Sequence, residues 1–279
     1  MGIGLIWQNN VLIELQDSGL VVVPIAYDRY NLLLCNDAVV ISLIPLENDY
    51  NPGELVALQT IYQQKRINLV QLWEDIWYTR REQVIGRIKS LLGLNKRLHG
   101  RKGLIKAITQ KQADDFLNDN HIQGSAKAKY RFALDIGIQT VAVASFSNAR
   151  FMKRISADYQ SVELIRFATL MGFTVTGGFT KLLKHFVNLT APNDVMSYAD
   201  RDWSLGNAYE QSGFTLTEIT PPAQIWLQKE EMTRVFPHRL PLSIQQNLNL
   251  NKESIASADL NEEYLPVFNT GNLKYILYL

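Results

Sequence analysis

The chain opens on short apolar bursts separated by polar or turn-forming residues. Val11-Leu12-Ile13, Leu20-Val21-Val22-Val23, Asn31 to Cys35 and Val39-Val40-Ile41-Ser42-Leu43-Ile44 are together rich in β-branched residues, although Asn31 to Cys35 has none, and are punctuated by Gly19, Pro24, Asn36-Asp37 and Pro45. All four predict strands. From Gly53 to Lys65 the period changes: Leu55, Leu58, Ile61 and Tyr62 fall at helical spacing, and Asn68 to Trp73 returns to a strand. Thr79 is placed to cap a further helix with Val84, Ile85, Ile88, Leu91 and Leu92 on one face, ending near Gly93.

Leu104 to Ile108 predicts a short strand, and Thr109 a capped helix through Phe116 and Leu117. Tyr130 to Leu134 and Thr140 to Phe146 predict adjacent strands joined at Asp135-Ile136-Gly137, so a second sheet begins there and the domain boundary falls between about Gly93 and Gly103. Ser161 to Thr169 is a strand; Gly177-Gly178 opens a helix striped by Leu182, Leu183, Phe186 and Val187; Asp194 to Tyr198 is again a strand. A short helix around Asn207 to Gln211 ends at Gly213, and Thr215 to Ile219 and Gln224 to Leu227 are expected to complete the sheet. Residues 243–263 are polar and read as a connector, and Val267 to Ile276 as a terminal hairpin turning at Thr270-Gly271-Asn272. The expected organisation is 1–98, 99–242, and a connector with hairpin over 243–279.

Composition narrows the class. An apolar share of 47% and a charged share of 20% are those of a folded globular protein. Cys35 is the only cysteine, so disulfide frameworks and Cys-rich zinc sites are excluded. No stretch approaches the roughly 18 apolar residues of a membrane span, and Met1 to Trp7 lacks the basic flank of a secretion signal. No membrane partner and a cytoplasmic location are therefore expected. The net charge of +1 hides a dipole along the chain: −6 up to Gln64, +9 from Lys65 to Arg131 and −2 thereafter. Arg80, Arg81, Arg87, Lys96, Arg97, Arg101 and Lys102, close to Trp73 and Trp77, suit a polyanion such as DNA; the alternative is a solvated helix face.

Gly206-Asn207-Ala208-Tyr209-Glu210-Gln211-Ser212-Gly213-Phe214 resembles the "LYEKLGF"-like ending of the GNAT acyltransferase superfamily. The order of strand, glycine turn, helix, strand, short helix, Gly-Phe, strand fits the same group. The resemblance implies an acyl-CoA whose pyrophosphate would rest on Gly177, Gly178, Phe179, Thr180 and Lys181, with Tyr209 protonating the departing thiolate. Ser197-Tyr198-Ala199-Asp200, followed by Gly206 and Tyr209, further resembles the strand end of phage Mom-type proteins, GNAT-fold enzymes that modify adenine in DNA. Asp200 at a strand end is a candidate to orient or deprotonate an amine, and His121, with Gly124 close behind, has room to face a ligand. The plainer readings are that Asp200 caps the next helix, Tyr209 packs in the core and His121 sits in a turn.

Asn68 to Trp77 with the basic helix after it resembles the end of nuclease domains related to very-short-patch repair endonucleases. That likeness implies a restriction-endonuclease-like fold whose strand-end carboxylates hold a divalent metal; the candidates are Asp37, Glu47, Asp49, Glu74 and Asp75, and because none stands in a clean spacing with a Lys or His partner the domain is read as a retained fold with lost or altered cleavage. The expected fold class is thus α/β, a restriction-endonuclease-like domain followed by a GNAT-like mixed sheet with flanking helices. The leading expectation is a transferase acting on an amino group, such as that of a nucleobase in DNA. The alternatives are a metal-dependent DNA endonuclease with an accessory GNAT-like domain, and a non-catalytic DNA-binding protein.

Overall fold

A computed structural model describes residues 6–242, 244–245 and 263–279, so most of the polar stretch expected as a connector lies outside the described residues. The first unit runs α1 (Ile6–Asp17), β1 (Val22–Tyr27), β2 (Tyr30–Cys35), β3 (Val39–Ile44), α2 (Pro52–Gln64), β4 (Asn68–Trp73) and α3 (Glu74–Leu91). Its sheet has the order β1-β2-β3-β4, antiparallel through the meander and parallel between β3 and β4, with α2 as the crossover. Asn51 begins α2 with a reciprocal capping box to Glu54, and Pro52 supplies a pre-set φ at the first turn.

Two sequence expectations change here. Val11-Leu12-Ile13 belongs to a helix, not a strand, because Trp7, Val11 and Leu15 are buried at a spacing of four and form one stripe. The apolar triplet misleads by composition, while the longer period is decisive. The helix expected after Thr79 starts five residues earlier, at Glu74, directly out of β4. Thr79 instead donates its hydroxyl to Asp75 O at 2.7 Å within that helix, next to a kink at Arg80.

After β5 (Lys96–His99) and a tight turn at Gly100–Lys102, the second unit comprises β6 (Leu104–Ala107), α4 (Gln110–Asn120), β7 (Tyr130–Ile136), β8 (Gln139–Phe146), β9 (Arg150–Phe151), β10 (Gln160–Thr169), β11 (Phe173–Thr176), α5 (Gly178–Thr190), β12 (Asp194–Asp200), α6 (Asn207–Glu210) and β13 (Thr215–Ile219). The chain continues through β14 (Ala223–Gln228), β15 (Thr233–Val235), β16 (Tyr264–Asn269) and β17 (Asn272–Tyr278). The large sheet has the order β13-β17-β12-β10-β8-β7-β6, with β9 on β10. Leu182, Leu183 and Phe186 of α5 cover one face with Phe132, Phe146 and Tyr275; Ala113 and Leu117 of α4 cover the other with Ala133, Val143 and Ala168.

Gln224 to Leu227 does not complete this sheet. It forms the centre of a separate three-stranded sheet, β15-β14-β16, whose Ile225, Leu227 and Val267 pack on Ile44, Leu55 and Trp73 of the first unit. The expected terminal hairpin is likewise corrected: β16 pairs with β14, whereas β17 inserts between β12 and β13. The chain changes sheets at Thr270-Gly271, so the last strand is an interior strand of the large sheet.

The small sheet is joined to the first unit by polar bonds as well as by apolar contact. Arg234 of β15 grips Asp75 at the start of α3 with two hydrogen bonds of 2.6 and 2.8 Å, and the Asp75 side chain is 1% exposed. Replacing Asp75 by Ala leaves that guanidinium unpaired, and a loss of about 3–5 kcal/mol in urea unfolding is expected. A loss below about 1 kcal/mol would show that the pair does not tie the small sheet to the first unit. Among the described residues no helix is long and apolar enough to cross a membrane.

Candidate active site

The interior of the large sheet contains a gap. β10 and β12 run parallel and pair only at Ser161/Asp194, Val162/Val195 and Glu163/Met196, although β10 continues to Thr169 and β12 to Asp200. Beyond that point the strands separate. The opening is a cleft of about 310 Å³, lined by Ile165 to Gly172 of β10 and the turn after it, Tyr198 to Asp200, Asn120 to Gln123, Phe179, Tyr209, Trp203, and Gln83, Gly86 and Arg87 of α3. Gly86 lets α3 approach: a Cβ there would lie 2.7 Å from Met171 Cγ.

A register shift between Leu164 and Arg166 shapes the β10 wall. Leu164 packs with α5 on one face; strict alternation would put Arg166 on that face too. The extra residue reverses the parity, so Phe167 joins the α5 core while Arg166 turns to the α4 side and donates from Nε to Gly124 O at 3.2 Å.

On β12, Ser197 and Ala199 point toward α5 and are buried, and Tyr198 and Asp200 alternate to the opposite side. Gln123 Nε2 donates to Asp200 Oδ2 at 2.7 Å, and the Asp202 backbone N–H donates to Oδ1 at 3.0 Å. Asp202, 2% exposed, accepts from both the N–H and the hydroxyl of Thr270. Burial raises the pKa of Asp200 above the ordinary carboxylate value. Burial and the neighbouring Asp200 carboxylate push Asp202 up to about 7.

Tyr209 reaches the gap from the α5 side. Ser197 Oγ donates to Leu164 O at 2.9 Å and lies 3.0 Å from the Tyr209 hydroxyl. The ring is held by Tyr275, Phe214 and Phe179, with centroids 5.2, 5.4 and 6.0 Å away. Burial raises its pKa, against the opposing pull of Ser197, Arg166 and Arg87, so the phenol keeps its proton near neutral pH. His121 follows α4, and its Nδ1 accepts from the Gln123 N–H at 3.1 Å. Burial, followed by the positive charges of Arg166, Arg87 and Arg80, lowers it to about 3. The ring is therefore neutral, with its proton on Nε2. It is a hydrogen-bond donor rather than a proton acceptor.

Asp202 and His121 oppose each other in their effect on stability. A carboxyl whose folded pKa is raised contributes stability at low pH that is lost as pH climbs from about 4 to 7. An imidazole whose folded pKa is lowered contributes stability above about pH 6.5 that is lost on acidification toward 3. Relative to the wild type, Asp202→Asn is expected to lose less stability as pH rises from 4.5 to 7.5, and His121→Gln to lose more. Urea midpoints of the three proteins at those two pH values check this; changes of the same sign in both variants would contradict it.

The structure brings Asp200, Tyr209 and His121 together in one cleft. The residues expected to bind the cofactor divide. Gly177 is exposed in the left-handed conformation at the start of α5, and Phe179 lines the cleft. Thr180 is half-buried, while Gly178 is buried against Gly100, where a Cβ on Gly100 would lie 2.8 Å from Gly178 N. Lys181 is corrected: its ammonium is fully engaged with the carbonyls of Gly100, Arg101 and Gly103, and it fixes that turn instead of facing a ligand. Among the described residues no acceptor meets the amides of Gly178, Phe179 or Thr180. That arrangement fits an anionic group at the mouth of α5, flanked by exposed Arg101 and Lys102.

The cations expected to contact nucleic acid also divide. Lys96, Arg97, Arg101 and Lys102 are exposed on β5 and the turn after it. Arg80 donates to Asn118 O, and Arg81 pairs with Glu14 over the Trp77 ring. Arg87 leaves the expected surface altogether, lining the cleft and donating to Trp203 O at 3.1 Å. The expected metal set does not converge. Asp37 precedes β3 and Glu47 follows it, so a strand of six residues, about 20 Å long, separates them. Glu74 accepts from the Leu46 N–H at 3.0 Å, at the Glu47 end. Among the described residues no group of three or more His, Cys, Asp or Glu is arranged to hold a metal. Sequence reasoning missed Arg166, Ser197, Gln123 and the Asp202 partnership, all of which depend on contacts distant along the chain.

No protein-family model matches the sequence, and no curated protein does. Among solved structures, the chain is similar to a GNAT family acetyltransferase from Elizabethkingia anophelis with acetyl-CoA bound, at 11% identity over 64% of this chain and 99% of that one, with a TM-score of 0.34. A Bacillus subtilis acetyltransferase in complex with CoA aligns at 11% identity over 64% and 99% with a TM-score of 0.38. The Escherichia coli ribosomal-protein-S18-alanine N-acetyltransferase aligns at 11% identity over 63% and 93%, with a TM-score of 0.37. At these scores the likeness establishes neither ancestry nor activity.

Proposed function

We propose that this protein is a GNAT-type transferase that moves an acyl or related group onto an amino group. The observation that carries the reading is the separation of β10 from β12, which lets groups from the two faces of one sheet reach a single cleft. On one side stands Asp200, a carboxylate whose basicity is raised by burial; on the other stands Tyr209, a phenol that keeps its proton. An acceptor amine needs a base as it attacks, and a departing thiolate needs an acid. Asp200 Oδ takes the first role and the Tyr209 hydroxyl the second, while His121 Nε2–H offers a hydrogen bond to the acceptor. An acyl-CoA supplies the activated carbonyl and the leaving group when bound; the amides of Gly178 to Thr180, with Arg101 and Lys102, are the groups that would hold its phosphates.

The acceptor class we infer is a nucleobase amine, with DNA as partner through the exposed cations of β5 and the following turn. The first unit contributes α3 to the cleft wall, a binding role that does not need a cleavage centre. The test is thiol release from acetyl-CoA in the presence of single-stranded DNA, followed by mass analysis of the DNA. A stoichiometric mass gain on a base supports the reading. Neither thiol release nor mass gain, with any of several acyl-CoA donors, would count against it.

A further inference from the structure

Two guanidiniums enter the cleft from different units: Arg87 from α3 and Arg166 from the bulged part of β10. Each is fixed by carbonyl oxygens alone, Arg87 by Trp203 O and Arg166 by Gly124 O and Ile165 O. Among the described residues neither forms an ion pair, although Arg29, Arg81, Arg150 and Arg234 all do. Glu163 and Asp200 act on Arg166 from beyond contact distance, whereas among the described residues no carboxylate acts on Arg87; a half-buried guanidinium with no carboxylate in contact is costly, and the planar donor fork matches a phosphate or carboxylate group. The same cleft wall carries His121 Nε2–H, a third donor that stays neutral because it is buried and because these arginines add positive charge around it.

The rest of the lining narrows the class of anion. Trp203, Phe167 and the exposed Tyr198 offer aromatic faces, and Asn120 and Gln123 offer amides that can read a polar edge. Asn95 and Gly172 lie at the cleft end from which Lys96 begins β5, so exposed Lys96 and Arg97 continue the positive charge outward. We propose that Arg87 and Arg166 clamp the phosphate of a nucleotide whose base occupies the cleft, so that the first unit supplies half of the acceptor site. This deepens the reading given under the proposed function and rests on it for the meaning of the cleft. The phosphate belongs either to a free mononucleotide or to one unit of a single strand.

Calorimetric titration of the full chain, without any acyl donor, tests the clamp. The probes are the four deoxynucleoside 5′-monophosphates, the matching nucleosides and a single-stranded DNA octamer. At least one monophosphate or the octamer is expected to bind, at least tenfold tighter than its nucleoside, and Arg87→Gln and Arg166→Gln are each expected to weaken that binding by about tenfold to a hundredfold while leaving nucleoside binding unchanged. Tighter binding of the octamer with the same arginine dependence assigns the phosphate to a strand, and tighter binding of a monophosphate to a free nucleotide; both support the clamp. Equal affinity for nucleoside and nucleotide, or affinity unaffected in both variants, overturns it.

Should a variant fold poorly, phenylglyoxal labelling of the wild-type protein gives the same answer: the binding nucleotide must shield Arg87 and Arg166 more than its nucleoside does. No shielding overturns the clamp. Because no transfer is measured, absence of thiol release would remove the proposed chemistry and leave this result standing.

Discussion

Replacing Tyr209 by Phe is expected to lower kcat for acyl transfer by about a hundredfold or more while leaving the unfolding midpoint nearly unchanged. Only the hydroxyl is lost. The ring keeps its packing against Tyr275 and Phe214, and Ser197 keeps Leu164 O as its acceptor. kcat and kcat/KM should fall together, since the proton is needed when the leaving group departs and not when substrate binds. The low-pH limb of the wild-type profile should lie above the ordinary carboxylate range, in keeping with the raised pKa of Asp200, and should vanish in the residual activity of Asp200→Asn. Unchanged turnover in Tyr209→Phe would reduce Tyr209 to a packing residue of the aromatic cluster.

Gly271→Ala is expected to cost about 3 kcal/mol or more in unfolding free energy, through two separate effects. Gly271 has φ +90°, outside the ordinary range of an L-residue, and a Cβ there would sit 2.2 Å from Thr220 O and 3.0 Å from Pro221 O. Both obstacles are backbone, so no side-chain rotation relieves them. The position is where the chain leaves the small sheet at Asn269 and enters the large sheet at Asn272. Because β17 lies between β12 and β13, a shift at Gly271 moves the strand that supports Tyr275, whose ring stacks on Tyr209. Loss of stability should therefore come with loss of activity. A fully stable, fully active Gly271→Ala protein would contradict the sheet change described for this point.

Local patterns foretold much of the site. The capped helix after Thr109, the strands β7 and β8, the glycine turn before α5 and the run from Ser197 to Phe214 all follow from periodicity, capping and turn residues that act within a few positions. Asp200 and Tyr209 could be named because both lie in that run. What the pattern concealed was set by long-range packing. Val11 to Ile13 has strand-like residues, yet the Trp7-Val11-Leu15 stripe that makes it a helix is completed only by the core of the first unit. The final apolar run reads as a hairpin because nothing local reveals that its halves pair with different sheets.

Arg87 lies in a basic helix, and only its neighbour Gly86, a residue that opens space on a helix face, hinted that another element closes there. Arg166 is aimed by a one-residue bulge that leaves no trace in a period-2 pattern otherwise consistent with a plain strand.

Hydrogen exchange of the full chain with and without acetyl-CoA tests the central claim most directly, since it reads where a donor sits on the intact protein. Slower exchange is predicted at the amides of Gly178 to Thr180 and along Leu164 to Ala168, where β10 parts from β12. Unchanged exchange at both places under saturating acetyl-CoA, or protection confined to the first unit, would contradict the account.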